Sequence, residues 1–403
     1  MKLRLWHRVL LGMLLGIVCG YFFRESYPFF KPLAAIYINL VKMIVVPTIF
    51  FAIIYGITNI SDIGTIGRIG LKSILIYTLA TLIAVTIGIL TASYLNPGVG
   101  IDLLTNLTNF PKDGSISVIT LEEIFVNIFP SNPIAAMANG NTLQIVFFAM
   151  IFGLSMVLAG EKANEAKKII SSTTSAIFKM VELVIKTTPY GAFAIMAWIV
   201  GQHGFALILS LGKLASSIML GFSVQYLLFG LMLLLFGLNP IKFYKKTSNV
   251  QSIAFATSSS KATIVPAIEE LQNKLGVSKK VASFVLPLGA AVNMTGSAIY
   301  IAICALFFAQ LYGINLSNHQ YLILALASTI GSIGAAGYPS GAVIMLGMVL
   351  PTIGLPVDHI PLIMGIDRLL DMFRTVINVT GDCAVTLSID KLNNTLDTKK
   401  YHE

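Results

Sequence analysis

Apolar stretches follow one another along almost the whole chain, at residues 9–23, 35–58, 72–94, 137–158, 178–201, 208–238, 282–311 and 361–387. About 20 apolar residues cross the ~30 Å hydrocarbon layer as a helix. Lipid offers no partners to backbone N–H and C=O groups, so such segments must satisfy them internally, as helices do. Only 11% of the 403 residues are Asp, Glu, Lys or Arg, against about 25% in a soluble domain. The expected fold class is an all-α polytopic membrane protein with eight transmembrane helices.

Two further apolar stretches do not read as simple spans. Residues 251–271, QSIAFATSSSKATIVPAIEEL, have two short arms around a serine-rich centre. Residues 327–354 are broken by Gly331, Gly334, Gly337, Pro339 and Gly341. Irregular backbone at membrane depth is tolerated only against protein or a wet cavity. Both are expected to be re-entrant helical hairpins, opposed to one another, whose tips offer backbone groups to a solute.

The net charge of +9 lies beside the apolar segments, at Lys2, Arg4 and Arg8, at Lys162, Lys167 and Lys168, at Lys242, Lys245 and Lys246, and at Lys274, Lys279 and Lys280. This is a positive-inside pattern, so a cell-membrane protein with both termini cytoplasmic is expected. No basic patch interleaved with aromatics accompanies it, which argues against nucleic acid. The polar connection 95–136, with Asp102, Asp113, Glu122 and Glu123, is expected outside. Cys19, Cys304 and Cys383 stand alone in apolar runs; neither a disulfide framework nor a metal-ligand spacing is present. The first apolar run lacks a small-residue cleavage site and does not read as a signal peptide.

Function concentrates in residues 366–382, IDRLLDMFRTVINVTGD. On a helix, Asp371, Arg374, Thr375, Asn378 and Asp382 recur at spacings of three and four along one face. Ionisable groups inside a membrane usually face a cavity or a partner and mark a transport path. Arginine keeps its proton and matches a carboxylate with two parallel bonds. An acidic amino acid would use Arg374 for its side-chain carboxylate, Asp371 for its amine and Thr375 for a further contact. Its α-carboxylate would meet hairpin-tip groups, Ser258, Ser259 and Ser260 in one tip and Gly337 in the other. The competing reading is a closed Asp371–Arg374 pair that only fixes packing.

Asn378 and Asp382 supply hard oxygen donors suited to a small cation. In LPLGAAVNMTGS, residues 286–297, Gly289, Asn293 and Gly296 interrupt the seventh span and would allow an unwound turn whose carbonyls reach that cation. A proton held on Asp382 is the alternative.

With TSSSKAT (257–263), LPLGAAVNMTGSAIY (286–300), GAAGYPSGAVIML (334–346) and LDMFRTVINVTGD (370–382), the chain resembles the dicarboxylate/amino acid:cation symporters, the glutamate transporter family, over nearly its full length. The resemblance implies a homotrimer in the membrane lipid, with eight spans and two hairpins per protomer, whose core slides through a trimerising scaffold as an elevator. It divides the chain into residues 1–70 (scaffold, spans 1–2), 71–136 (span 3 and the outer loop) and 137–246 (spans 4–6, with trimerisation contributions). The transport core then covers 247–390, and 391–403 form a cytoplasmic tail. By resemblance, Arg374, Asp371, Thr375 and Asn378 match substrate contacts. Asp382, with Gly289, Asn293 and Asn378, matches a sodium site, and Met294 lies between sodium and substrate. No cofactor is implied beyond co-transported sodium, with a proton as alternative.

The chain departs from the family pattern at several positions. Thr295 replaces an aspartate that helps hold a further sodium ion, and Ala80 stands in place of a threonine for that ion, whereas Tyr77 and Thr81 match. Fewer sodium ions per substrate are therefore expected. Lys261 occupies a serine position, where it would replace an absent cation, bind the α-carboxylate or snorkel toward the cytoplasmic vestibule. Ile301 stands where animal members carry a glutamate linked to proton and potassium coupling. A channel would not explain the Asp371/Arg374 pair beside two hairpins. An enzyme would need a base near the serines, and none is positioned for it. A C4-dicarboxylate symporter remains an alternative, though it leaves Asp371 without an amine to bind.

Overall fold

The structure is a computed structural model that describes residues 5–58, 63–99, 126, 128–204, 206–334, 341–357 and 359–403. Among the described residues there are helices and their connections but no strand. The first half comprises α1 (Leu5–Phe22), α2 (Tyr27–Thr58), α3 (Ile63–Leu95), α4 (Pro133–Ala138), α5 (Thr142–Leu158), α6 (Asn164–Lys186), α7 (Thr188–His203) and α8 (Ala206–Leu235). In the second half are α9 (Pro240–Thr257), α10 (Ile264–Lys274), α11 (Lys279–Val292), α12 (Thr295–Leu311), α13 (Asn318–Gly334), α14 (Gly341–Thr352), α15 (Pro361–Leu392) and α16 (Thr398–His402).

By length and composition, four described helical stretches can cross a membrane: Arg24–Thr58, Ile69–Leu95, Leu209–Leu235 and Lys279–Leu311. A fifth arises if the pair Gly160–Lys186 and Thr188–Gln202, bent by 48°, is one span. The apolar run 178–201 therefore does not form one straight helix. Pro189 enters at the start of α7, where its missing N–H and its ring stop the preceding helix from continuing. α15 is long enough at 32 residues, but its ionised side chains set it apart from a plain apolar span. Leu11, Leu14, Leu15, Leu71, Leu75, Leu79, Leu227 and Leu234 are exposed on α1, α3 and α8, a surface that suits lipid rather than water.

α12 is the axis of the molecule. Its residues are buried at every described position but one, and it packs against α3, α8, α13, α14 and α15. Around it lie two helical pairs. In the first, α9 opens with Asn239, whose Oδ1 accepts from Ile241 N at 2.9 Å, and Pro240, a strong helix start. α9 ends at Ser258, which adopts φ 51°. α10 runs back antiparallel: Asn249 donates to Glu270 at 3.2 Å, and Lys246 donates to the Lys274 carbonyl at 2.8 Å. In the second, α13 and α14 also run antiparallel, with Gln320 donating to the Ile353 carbonyl at 3.0 Å and Gly331 against Met345 and Met348.

The end of the chain folds onto the base of the first pair. Tyr401 is fully buried and donates to the Asn239 carbonyl at 2.7 Å. The same Lys246 ammonium also donates to the carbonyls of Lys400 and Tyr401, each at 3.0 Å. Asp397 N donates to the Gly276 carbonyl at 3.0 Å. Asp390 accepts from both Ser278 N and Ser278 Oγ, at 2.8 and 2.6 Å.

Candidate substrate and cation site

α15 packs against α8, α9, α11 and α12, so its polar stripe is enclosed by protein. Arg374 is 2% exposed. Its Nη1 donates to Asp367 Oδ1 at 3.1 Å and its Nη2 donates to Asp371 Oδ1. The guanidinium lies over the Tyr300 ring, 4.6 Å from the centroid, a cation–π contact from α12. Arg368, buried as well, reaches Asp371 Oδ2 at 3.4 Å. Two arginines thus meet two aspartates in one charge-balanced cluster, and a buried charge needs such partners to be tolerated. The closed Asp371–Arg374 pair is present, extended by Asp367 on one side and Arg368 on the other. Thr375 turns its hydroxyl back onto the Asp371 carbonyl at 2.8 Å.

One turn further along, α15 meets the break between α11 and α12. Asn293 (φ −87°, ψ 85°) and Met294 (φ −110°, ψ 50°) leave helical geometry there. Asn293 Nδ2 donates to Asp382 Oδ1 at 2.8 Å. Asn378 Oδ1 accepts from Gly296 N at 2.8 Å, and its Nδ2 faces Met294 Sδ at 3.3 Å. Gly289 is needed for this approach, because a Cβ there would stand 2.5 Å from Tyr77 Oη and 2.7 Å from Asp382 Oδ1. Among the described residues, Asn293 Oδ1 and Thr295 Oγ1 are buried with no hydrogen-bond partner. Asp382 and Asn293 Oδ1 have the chemistry of donors for a hard cation. Among the described residues no group of three or more His, Cys, Asp or Glu converges, so this set rests on a single carboxylate.

The first hairpin tip is equally enclosed. Ser258 and Ser260 are 1% and 2% exposed, and among the described residues neither hydroxyl has a hydrogen-bond partner. Ser259 accepts from Ala262 N at 3.3 Å. The Lys261 ammonium lies 5.1 Å from the Phe178 ring centroid on α6. Among the described residues no hydrogen bond joins the three serines to Arg374. Gly337, the contribution expected from the second tip, lies outside the described residues.

The model of the sodium:dicarboxylate symporter family matches residues 5–392. This chain belongs to that family. Among relatives of the sodium:dicarboxylate symporters, it is 32% identical to the proton/glutamate-aspartate symporter of Bacillus subtilis (strain 168), over 100% of this chain and 98% of that protein. It is 32% identical to the proton/sodium-glutamate symport protein of Bacillus caldotenax, over 97% and 94%. To the C4-dicarboxylate transport protein of Rhizobium leguminosarum it is 31% identical, over 98% and 90%.

Three members of the cluster in this symporter-family chain, Asp367, Arg368 and Tyr300, were not singled out as site residues. Asp367 precedes Arg374 by seven positions, which returns to the same helix face; the spacing Asp367, Asp371, Arg374 carried that signal. Tyr300 carried none, since one aromatic in an apolar helix reads as core.

Proposed function

We propose that the protein is a secondary active symporter that imports acidic amino acids, L-glutamate or L-aspartate, with a cation. The observation that carries this reading is the Asp371–Arg374 pair, buried on α15 and about two turns from the Asn293–Asp382 contact. An amino acid with a side-chain carboxylate brings one anion for Arg374 and one ammonium for Asp371. It can therefore exchange partners with the cluster without leaving either charge uncompensated. The buried hydroxyls of Ser258 and Ser260, with Ser259 and Gly337, supply the α-carboxylate end, and Thr375 and Asn378 line the same face. Sodium is the cation assigned to Asp382, Asn293, Gly289 and Asn378. Met294, in contact with Asn378, couples that site to the substrate. Thr295 offers a hydroxyl in place of a carboxylate, which supports fewer sodium ions per substrate.

In this reading α9–α10 and α13–α14 are the two opposed re-entrant hairpins. With α11–α12 and α15 they form a transport core over 247–390 that moves as an elevator against a scaffold from the earlier segments, within a homotrimer. Eight spans place both termini on the cytoplasmic side. Lys261, held over Phe178, adds positive charge at the edge of the core and compensates charge there. The name of the Rhizobium leguminosarum relative favours a second reading, transport of C4-dicarboxylates, in which Asp371 stays bound to Arg368.

Reconstituted vesicles test the proposal. Labelled glutamate, aspartate and succinate are offered under separately imposed sodium and proton gradients. Accumulation of glutamate and aspartate against their gradients, with mutual competition, is expected. Accumulation of succinate alone would reject the amino-acid reading, and downhill flux alone would reject the symporter.

A further inference from the structure

We propose that Lys72, Lys279, Lys280 and Lys391 bind the phosphate of an anionic phospholipid whose acyl chains lie along α3. The assignment is independent of the substrate and of the groups around Arg374 and Asp382.

Three helix ends meet at these lysines. α3 and α11–α12 lie side by side and run in the same direction. Tyr77 Oη donates to the Val285 carbonyl at 3.0 Å, and further along Gly88 lies against Ile299 and Gly98 against Phe307. Lys72 precedes Tyr77 by five residues, and Lys280 precedes Val285 by five. Both therefore stand about 7.5 Å before that bond along their helices. α15 runs the opposite way and brings its last turn, with Lys391, to the same end. There Ser278 N and Oγ donate to Asp390 at 2.8 and 2.6 Å, and Lys72 Nζ donates to Asn393 Oδ1 at 3.2 Å. The membrane-length stretches Ile69–Leu95 and Lys279–Leu311 both begin at this level. The lysines thus stand where a span leaves the ~30 Å hydrocarbon layer for the headgroups.

The charge at this end is not balanced from within. Lys72, Lys279 and Lys280 are exposed and Lys391 is half-buried, and among the described residues none of the four forms an ion pair. Asp390, the carboxylate between them, is fully buried and already accepts from Ser278 and Thr395. Asp397, the next along, caps α16 beside Lys399 and Lys400, accepting from both backbone N–H groups at 3.1 Å. Next to Lys72 an apolar stripe begins: Leu71, Leu75 and Leu79 recur every fourth residue of α3, each 60% exposed, on one helix face. Lysines at the head of an exposed leucine stripe match both ends of an anionic lipid, phosphate on ammonium and chain on leucine. A zwitterionic lipid would bring its own ammonium among four like charges, and a soluble anion would leave the leucines uncovered.

The test counts lipids retained on the purified full-length protein by native mass spectrometry, after titration in a nonionic detergent. Phosphatidylglycerol should be retained well above phosphatidylcholine at equal mole fraction, and inorganic phosphate should not displace it. Each lysine neutralised should weaken phosphatidylglycerol about fivefold, so Lys72→Gln/Lys280→Gln should lose about 30-fold. Lys162→Gln/Lys245→Gln, which removes two exposed lysines elsewhere, should bind as the wild type does. Equal retention of both lipids overturns the proposal, because charge is then not recognised. Displacement by inorganic phosphate overturns it in favour of a free-anion site. Equal losses in the two double variants overturn it in favour of diffuse attraction to a positive surface, and no loss in Lys72→Gln/Lys280→Gln overturns it outright. If that double variant does not fold, Lys72→Gln and Lys280→Gln carry the same test singly, each with about a fivefold loss.

Discussion

Asn293 donates its amide to Asp382 at 2.8 Å, which ties the unwound turn between α11 and α12 to α15 alongside the bonds of Asn378 to Gly296 and Met294. Among the described residues, the other end of the Asn293 amide, Oδ1, is buried with no partner. A buried acceptor of this kind is costly unless something donates to it or coordinates it. The unused acceptor is what the cation proposed at Asp382 would engage.

Asp382→Asn tests that arrangement with nearly unchanged shape. Loss of the carboxylate is worth about 3 kcal/mol or more to a buried cation, so the half-saturating sodium concentration should rise at least about 100-fold. Sodium titration of substrate binding measures it. An unchanged titration would place the cation elsewhere.

Arg374→Ala removes the partner of two buried aspartates, Asp367 and Asp371. Breaking buried pairs in this way costs about 3–5 kcal/mol, which should appear as a lower thermal midpoint in detergent. Uptake of glutamate and aspartate should disappear. Arg374→Lys keeps the charge without the fork and should recover much of the stability but little of the uptake.

Lys261 and Phe178 should behave as a coupled pair. The ammonium sits 5.1 Å from the ring centroid, and such contacts contribute about 0.5–2 kcal/mol. Lys261→Ser and Phe178→Leu are expected to lower thermal stability by similar amounts, and the double variant by little more than either alone. Fully additive losses would show that the ring is not the partner that matters.

In α16, burial pushes the Tyr401 phenol up to about 12, from about 10 in an unfolded chain. The fold therefore favours the neutral phenol. Its contribution to docking of α16 is complete below about pH 10 and is lost as pH rises through the folded value. The difference in phenolate absorbance between wild type and Tyr401→Phe should show one group ionising near pH 12; ionisation at the ordinary value would contradict a buried hydroxyl.

The chain announced some of this and concealed the rest for physical reasons. Apolar runs are nearly unbroken in α2, α3, α8 and α12 because each carries few charges. The break at Asn293 was visible because Gly289, Asn293 and Gly296 cannot all belong to a well-packed uninterrupted helix without purpose. The bend between α6 and α7 was hidden, since Pro189 sits in an apolar run that hydropathy alone joins together. Asp371 and Arg374 stood out as a polar pair, but whether the guanidinium faced a solute or its own helix depended on χ angles that no spacing encodes. The docking of Tyr401 was illegible, because a tyrosine two residues before Glu403 in a charged tail has no pattern around it to mark a buried partner.

Lys246 joins the return arm of the first hairpin to α16 by donating to carbonyls of Lys274, Lys400 and Tyr401. Whatever is attached behind Glu403 therefore hangs two residues from a point that bears directly on the hairpin. A fluorescent reporter or purification handle placed there would load the mechanical root of that arm.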